Sequence, residues 1–140
     1  MFNTKLKHIY LFYIKKLRMS LSSKSLKTFS YNNPPSSGMS RSADIQKCYD
    51  KHMADTEACT KFKKYIKNIL SSKEFYIQKN DFPYLLDEGI EHLLFWTTDI
   101  SNALIIIPTM FKQKLITFWK NRPNNCSIPE INHIHIFTTT

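Results

Sequence analysis

"IEHLLFWT", residues 90–97, reads as a β-strand. Ile90, His92, Leu94 and Trp96 would face one way, and Glu91, Leu93, Phe95 and Thr97 the other. Both sets are rich in large apolar side chains, so the strand is expected to be buried on at least one face. "NDFPYLLDEG" (80–89) precedes it and reads as a loop around Pro83 and Gly89. Phe75–Ile77 reads as a short strand before that loop. After the strand, Asp99 can cap a helix over 100–113, with Pro108 predicting a kink or early stop. "LITFWKN" (115–121) and "INHIHIFT" (131–138) read as two further strands, with "RPNNCSIPE" (122–130) as the loop between them.

Upstream, Ser42 can cap a helix with Asp44 in its first turn. Ile45, Cys48, Tyr49, His52, Thr56, Cys59, Phe62, Ile66 and Leu70 form one helical stripe. The helix is expected to end by Ser71–Ser72, with Ala54–Asp55 as the place where it would break. The expected fold class is α+β: a small, mostly antiparallel sheet of about three to four strands. An N-terminal amphipathic helix and one further helix would pack on that sheet.

The 140 residues make one domain, or one domain and a tail, and 42% hydrophobic content suffices for a core. The net charge of +9 is unevenly spread. Residues 1–43 hold eight Lys/Arg and no acid, whereas residues 44–140 are net +1. The folded part therefore lacks the charge that tracking nucleic-acid phosphates would need, and nucleic acid is not its expected partner. With two glycines, Gly38 and Gly89, no glycine-rich phosphate loop is available. Three scattered cysteines suit a reducing compartment, and Cys48, Cys59 and Cys126 read as small apolar core residues.

Residues 1–42 read as a basic, Ser-rich, poorly ordered tail ending in the Pro/Ser linker "YNNPPSSGMS" (31–40), with a single domain over 43–140. Ile9 to Ile14 is too short an apolar run to span a bilayer. An intracellular, cytoplasmic location is expected. The alternative is mitochondrial, with residues 1–40 as a transit peptide, and Met19 offers a second possible start.

His133 and His135 sit two apart on a predicted strand, so their rings share a face about 6.6 Å apart along the chain. Imidazoles so placed suit acid–base work near neutral pH or a divalent metal such as zinc or iron. A metal needs a third ligand, and His92 on another strand is the natural candidate. Asp81, Tyr84, Asn121 and Arg122 are the expected ligand-binding residues around them, Arg122 holding an anion with its guanidinium fork. The structural reading of the same histidines is side chains packed at a strand end and bonded to backbone carbonyls.

"NDFPYLLDEGIEHLLFW" (80–96) resembles a segment of an uncharacterised domain family typified by fungal N-acetylglucosamine-induced proteins. Asn80, Phe82, Pro83, Tyr84, Gly89, Ile90, His92 and Trp96 carry the match. "FWKNRPNNCSIPEINHIHIF" (118–137) resembles a second block through Trp119, Asn121, Pro123, Ser127, Ile128, Pro129, His133 and His135. Arg122 departs from the family's Asn-Pro, and 103–111 is shorter and more apolar than the pattern. The resemblance implies no established reaction. It does place all three histidines inside matched motifs, which favours a shared pocket. The function expected is a small-ligand site, or metal-assisted hydrolase or transferase chemistry on a phosphorylated or sugar-like metabolite. The alternative is a non-catalytic binding or assembly protein whose histidines and aromatics are structural.

Overall fold

A computed structural model describes residues 20–140. The elements in order are α1 (Ser23–Leu26), α2 (Ala43–Ala54), α3 (Thr56–Leu70), β1 (Phe75–Lys79), β2 (Ile90–Thr97), α4 (Ile100–Phe111), β3 (Leu115–Trp119) and β4 (His133–Thr139). The strands form one antiparallel sheet in the order β1-β2-β4-β3. The fold is thus the expected α+β arrangement. β2 and β3 run parallel to each other on either side of β4 and are joined by α4. The last strand of the chain therefore fills the slot that this crossover leaves open.

Local chemistry explains the breaks. Asp55 ends α2 and starts α3, its carboxylate accepting from the Ala58 N–H. Ser42 and Asp99 cap α2 and α4 in the same way, through the Ile45 and Asn102 N–H groups. Gly89 has φ +83, a conformation that side chains disfavour, and it turns the chain into β2. Pro108 lies inside α4 without ending it there; the helix stops at Phe111, where Lys112 takes φ 49.

Each face of the sheet buries a different set. Leu93 and Phe95 of β2 and Ile134 and Ile136 of β4 pack with Ala103 and Ile107 of α4. On the opposite face, Leu94 and Trp96 pack with Ile66 of α3 and Ile131. Farther along that face, Tyr84, Trp119 and Phe137 pack with Leu26 of α1. His92, His133 and His135 occupy the strip between these last two clusters.

Residues 20–42, expected as part of the tail, contribute to this packing. Leu26 is fully buried, Pro35 is buried, Leu21 bridges to Leu86, and Thr117 Oγ1 donates to the Phe29 carbonyl at 2.7 Å. Burying one leucine contributes about 2 kcal/mol, and the contacts of Leu21, Pro35 and Phe29 add to it. The apolar run at Ile9 to Ile14 and the start at Met19 lie outside the described residues. Cys48 is exposed and not a core residue. Among the described residues no helix is long and apolar enough to cross a membrane.

Candidate functional site

Antiparallel pairing of β2 and β4 sets His92 opposite Phe137, Leu94 opposite His135 and Trp96 opposite His133. His92 and His135 are diagonal neighbours on one face, within reach of each other's rings. His92 Nε2 lies 2.8 Å from His135 Nδ1. The ring of His133 packs on Trp96 at 4.5 Å between centroids, and its Nδ1 lies 3.0 Å from the Ile131 carbonyl.

These contacts assign the protons. The backbone N–H of Tyr84 donates to His92 Nδ1 at 3.2 Å, so that nitrogen carries a lone pair. The Asn80 amide, oriented by the Phe82 N–H on its oxygen, also faces this ring. A neutral His92 must then carry its proton on Nε2 and donate to His135 Nδ1. His135 in turn carries its proton on Nε2. A carbonyl can only accept, so His133 is protonated on Nδ1 and offers its Nε2 lone pair.

All three rings are held neutral. Burial, with a further contribution from Arg41, lowers the His92 pKa to about 3. Burial lowers His135 well below the ordinary value, and His92, His133 and Arg41 add to the effect. His133 is lowered by burial against the opposing pull of its bond to Ile131.

A cavity of about 120 Å³ opens beside this row. It is lined by Arg41, Tyr49 and His52 from the helical side and by Trp96, His133 and His135 from the sheet. Two buried donors here, Trp96 Nε1 and His135 Nε2, have no hydrogen-bond partner. A buried unsatisfied N–H costs about 1–3 kcal/mol, so two on residues that line one cavity mark a place where acceptor atoms would be stabilising.

The expected site residues divide. His133, His135 and Asp81 line the cavity, with Asp81 exposed. His92 lies behind His135 and faces a neighbouring shallow cleft with Asn80 and Tyr84. Tyr84 stacks on His135, with 8° between the ring planes, and does not line the cavity. Burial raises its phenol pKa. Asn121 accepts from Trp119 Nε1 at 2.9 Å and donates to the Tyr84 hydroxyl at 3.3 Å, so it braces the wall. Arg122 donates to the Pro34 carbonyl and does not line the cavity.

The expected metal set of His92, His133 and His135 is not assembled. Metal ligation needs lone pairs, and both His92 nitrogens are engaged while His135 presents an N–H. Only His133 Nε2 remains free. Among the described residues, no group of three or more His, Cys, Asp or Glu side chains is arranged to hold a metal ion.

Arg41 and His52 were not among the expected site residues. His52 was visible as a polar member of the apolar stripe of the α2 region. Arg41 left no local signal. It comes from the segment before α2, where its Nε donates to the Phe82 carbonyl at 2.8 Å and its guanidinium lies 4.0 Å from the Tyr49 ring centroid.

A family model described as "Protein of unknown function (DUF3605)" matches residues 43–103. The match spans α2 to the start of α4 and includes His92, but it stops short of His133 and His135. A solved structure, the crystal structure of HTC1, is similar with a TM-score of 0.53 at 17% identity, covering 73% of this chain and 76% of that one. At that identity the likeness concerns the fold alone. No curated protein matches the chain.

Proposed function

We propose that this protein binds a small phosphorylated or sugar-like metabolite in the cavity beside His133 and His135, and that it acts on it as a hydrolase or transferase. The observation that carries this reading is that two residues lining the cavity, Trp96 and His135, each hold a buried, unpartnered donor, Nε1 and Nε2. His133, with its free Nε2, is the general base of the scheme. His135 donates a hydrogen bond to charge developing on the ligand. His92 is a positioning residue that fixes the His135 tautomer. Kinship with the N-acetylglucosamine-induced proteins is part of the same proposal and rests on the two sequence blocks.

The test is a set of sugar phosphates, scored by thermal stabilisation and by release of inorganic phosphate. Stabilisation by at least one compound is expected, with turnover lost in His133→Ala while binding persists. No stabilisation and no turnover across the set would remove the reading.

A second reading, a non-catalytic assembly protein, is favoured by Ile105 and Met110, which are 71% and 44% exposed on the apolar helix α4. Sedimentation of wild type and Ile105→Glu tests it; a monomer in both cases counts against it. The basic N-terminus supports either the cytoplasmic or the mitochondrial location, and imaging the full chain beside one starting at Met19 decides between them.

A further inference from the structure

Arg41 stands where a charge would act on anything held in the cavity. Its Nε is spent on the Phe82 carbonyl, and its guanidinium sits over Tyr49 and within 5.2 Å of the Tyr84 ring centroid. None of the ion pairs among the described residues includes it. It is half-buried and lines the same cavity as Trp96 and His135, the residues that carry the two unpartnered donors. Packing against aromatic faces holds the guanidinium in place and leaves its remaining N–H groups for an acceptor.

The chain of hydrogen bonds gives the cavity wall a fixed polarity. Because the Tyr84 amide is a backbone donor, it cannot reverse. His92 must pass the donor sense on to His135, whose outer nitrogen is then an N–H. Trp96 Nε1 is a donor in every state. A cavity bordered by two such donors and a cation suits a group rich in acceptors and negative charge. The volume of about 120 Å³ is room for a small head group. Asp81, the exposed acid on the lining, opposes a bound anion, with its charge screened by solvent. His52 and His133 also face the cavity and are its other titratable groups, with the phenol of Tyr49.

We infer that the cavity is an oxyanion site: a phosphate or carboxylate group accepts hydrogen bonds from Trp96 Nε1 and His135 Nε2, and Arg41 supplies the opposite charge. This deepens the ligand-site reading above and rests on it. It assigns the head group that the cavity selects, and it makes Arg41 the residue that determines selectivity. Any sugar-like part of the ligand would extend past the cavity mouth.

The experiment is a titration of the full chain with inorganic phosphate, acetate and glucose, followed by NMR of the indole and imidazole N–H resonances. Phosphate, acetate or both should shift the Trp96 indole and His135 N–H signals at millimolar concentration, and glucose should not. The two oxyanions distinguish a phosphate site from a carboxylate site. Arg41→Gln should weaken oxyanion binding at least about tenfold, the loss expected for one charged hydrogen-bond partner. Arg41→Lys should weaken it less. The wild-type titration needs no folded variant. Oxyanion binding that leaves both N–H signals unmoved overturns the inference. Glucose binding as tightly as phosphate, with Arg41→Gln unaffected, overturns the oxyanion assignment and leaves the ligand pocket standing. Absence of binding by these probes, together with no response to sugar phosphates, overturns both.

Discussion

His92 Nε2 and His135 Nδ1 meet at 2.8 Å across two adjacent strands, with both rings buried. The contact couples the Tyr84 backbone, held in the loop before β2, to the cavity wall formed by β4. It is a hydrogen bond between two neutral groups, so it carries direction without charge.

Truncating His92 should therefore cost more than its packing. His92→Ala leaves the Tyr84 N–H and His135 Nδ1 unpartnered in the interior. A loss of about 2–4 kcal/mol in urea unfolding is expected. A double-mutant cycle with His135→Ala should show coupling of about 1–3 kcal/mol. Strict additivity would mean that the bond contributes nothing to the fold.

The proton assignment is directly measurable. Nitrogen-15 NMR at neutral pH should find His92 and His135 protonated on Nε2 and His133 on Nδ1. A His135 protonated on Nδ1 would reverse the polarity of the cavity wall.

Stability should fall in mild acid. The folded His92 is held at about 3, below the ordinary value of about 6.5. Below pH of about 6.5 the unfolded chain takes up a proton that the fold refuses, so stability is full above that pH and declines towards 3. His133 and His135 shift in the same direction and steepen the decline. Each fully differential histidine contributes about 1.4 kcal/mol per pH unit. Urea unfolding at several pH values checks this, and His92→Gln should remove one histidine's share of the slope. A stability curve flat from neutral pH to about pH 5 would contradict the burial of these rings.

Leu26 offers a test of the N-terminal segment. Leu26→Ala should destabilise the domain by about 2–5 kcal/mol, as for other fully buried leucines. A leader cleaved as late as residue 40 would remove Leu26 and should be similarly damaging. An unchanged melting temperature in either chain would show that this segment does not hold the fold.

Much was legible from local pattern. The bounds of β2, the helix break at Asp55 and the shared face of His133 and His135 all follow from periodicity and capping, which depend on neighbours in sequence. So does the α+β class, because alternating and helical stripes occur in a readable order. The N-terminal segment reads as polar because serine, proline and lysine outnumber its apolar residues. Leu26, its fully buried leucine, gives no periodic signal.

Sequence by itself determined which segments after residue 42 are strands and helices and which histidines could share a face. Tertiary structure alone decided that β4 inserts between β2 and β3, that His92 lies behind His135 and not beside it, and that Arg41 borders the cavity while Arg122 does not line it. The physical reason is that local geometry is set by bonds and contacts a few residues apart. Strand register and the docking of Arg41 depend on surfaces brought together from distant parts of the chain.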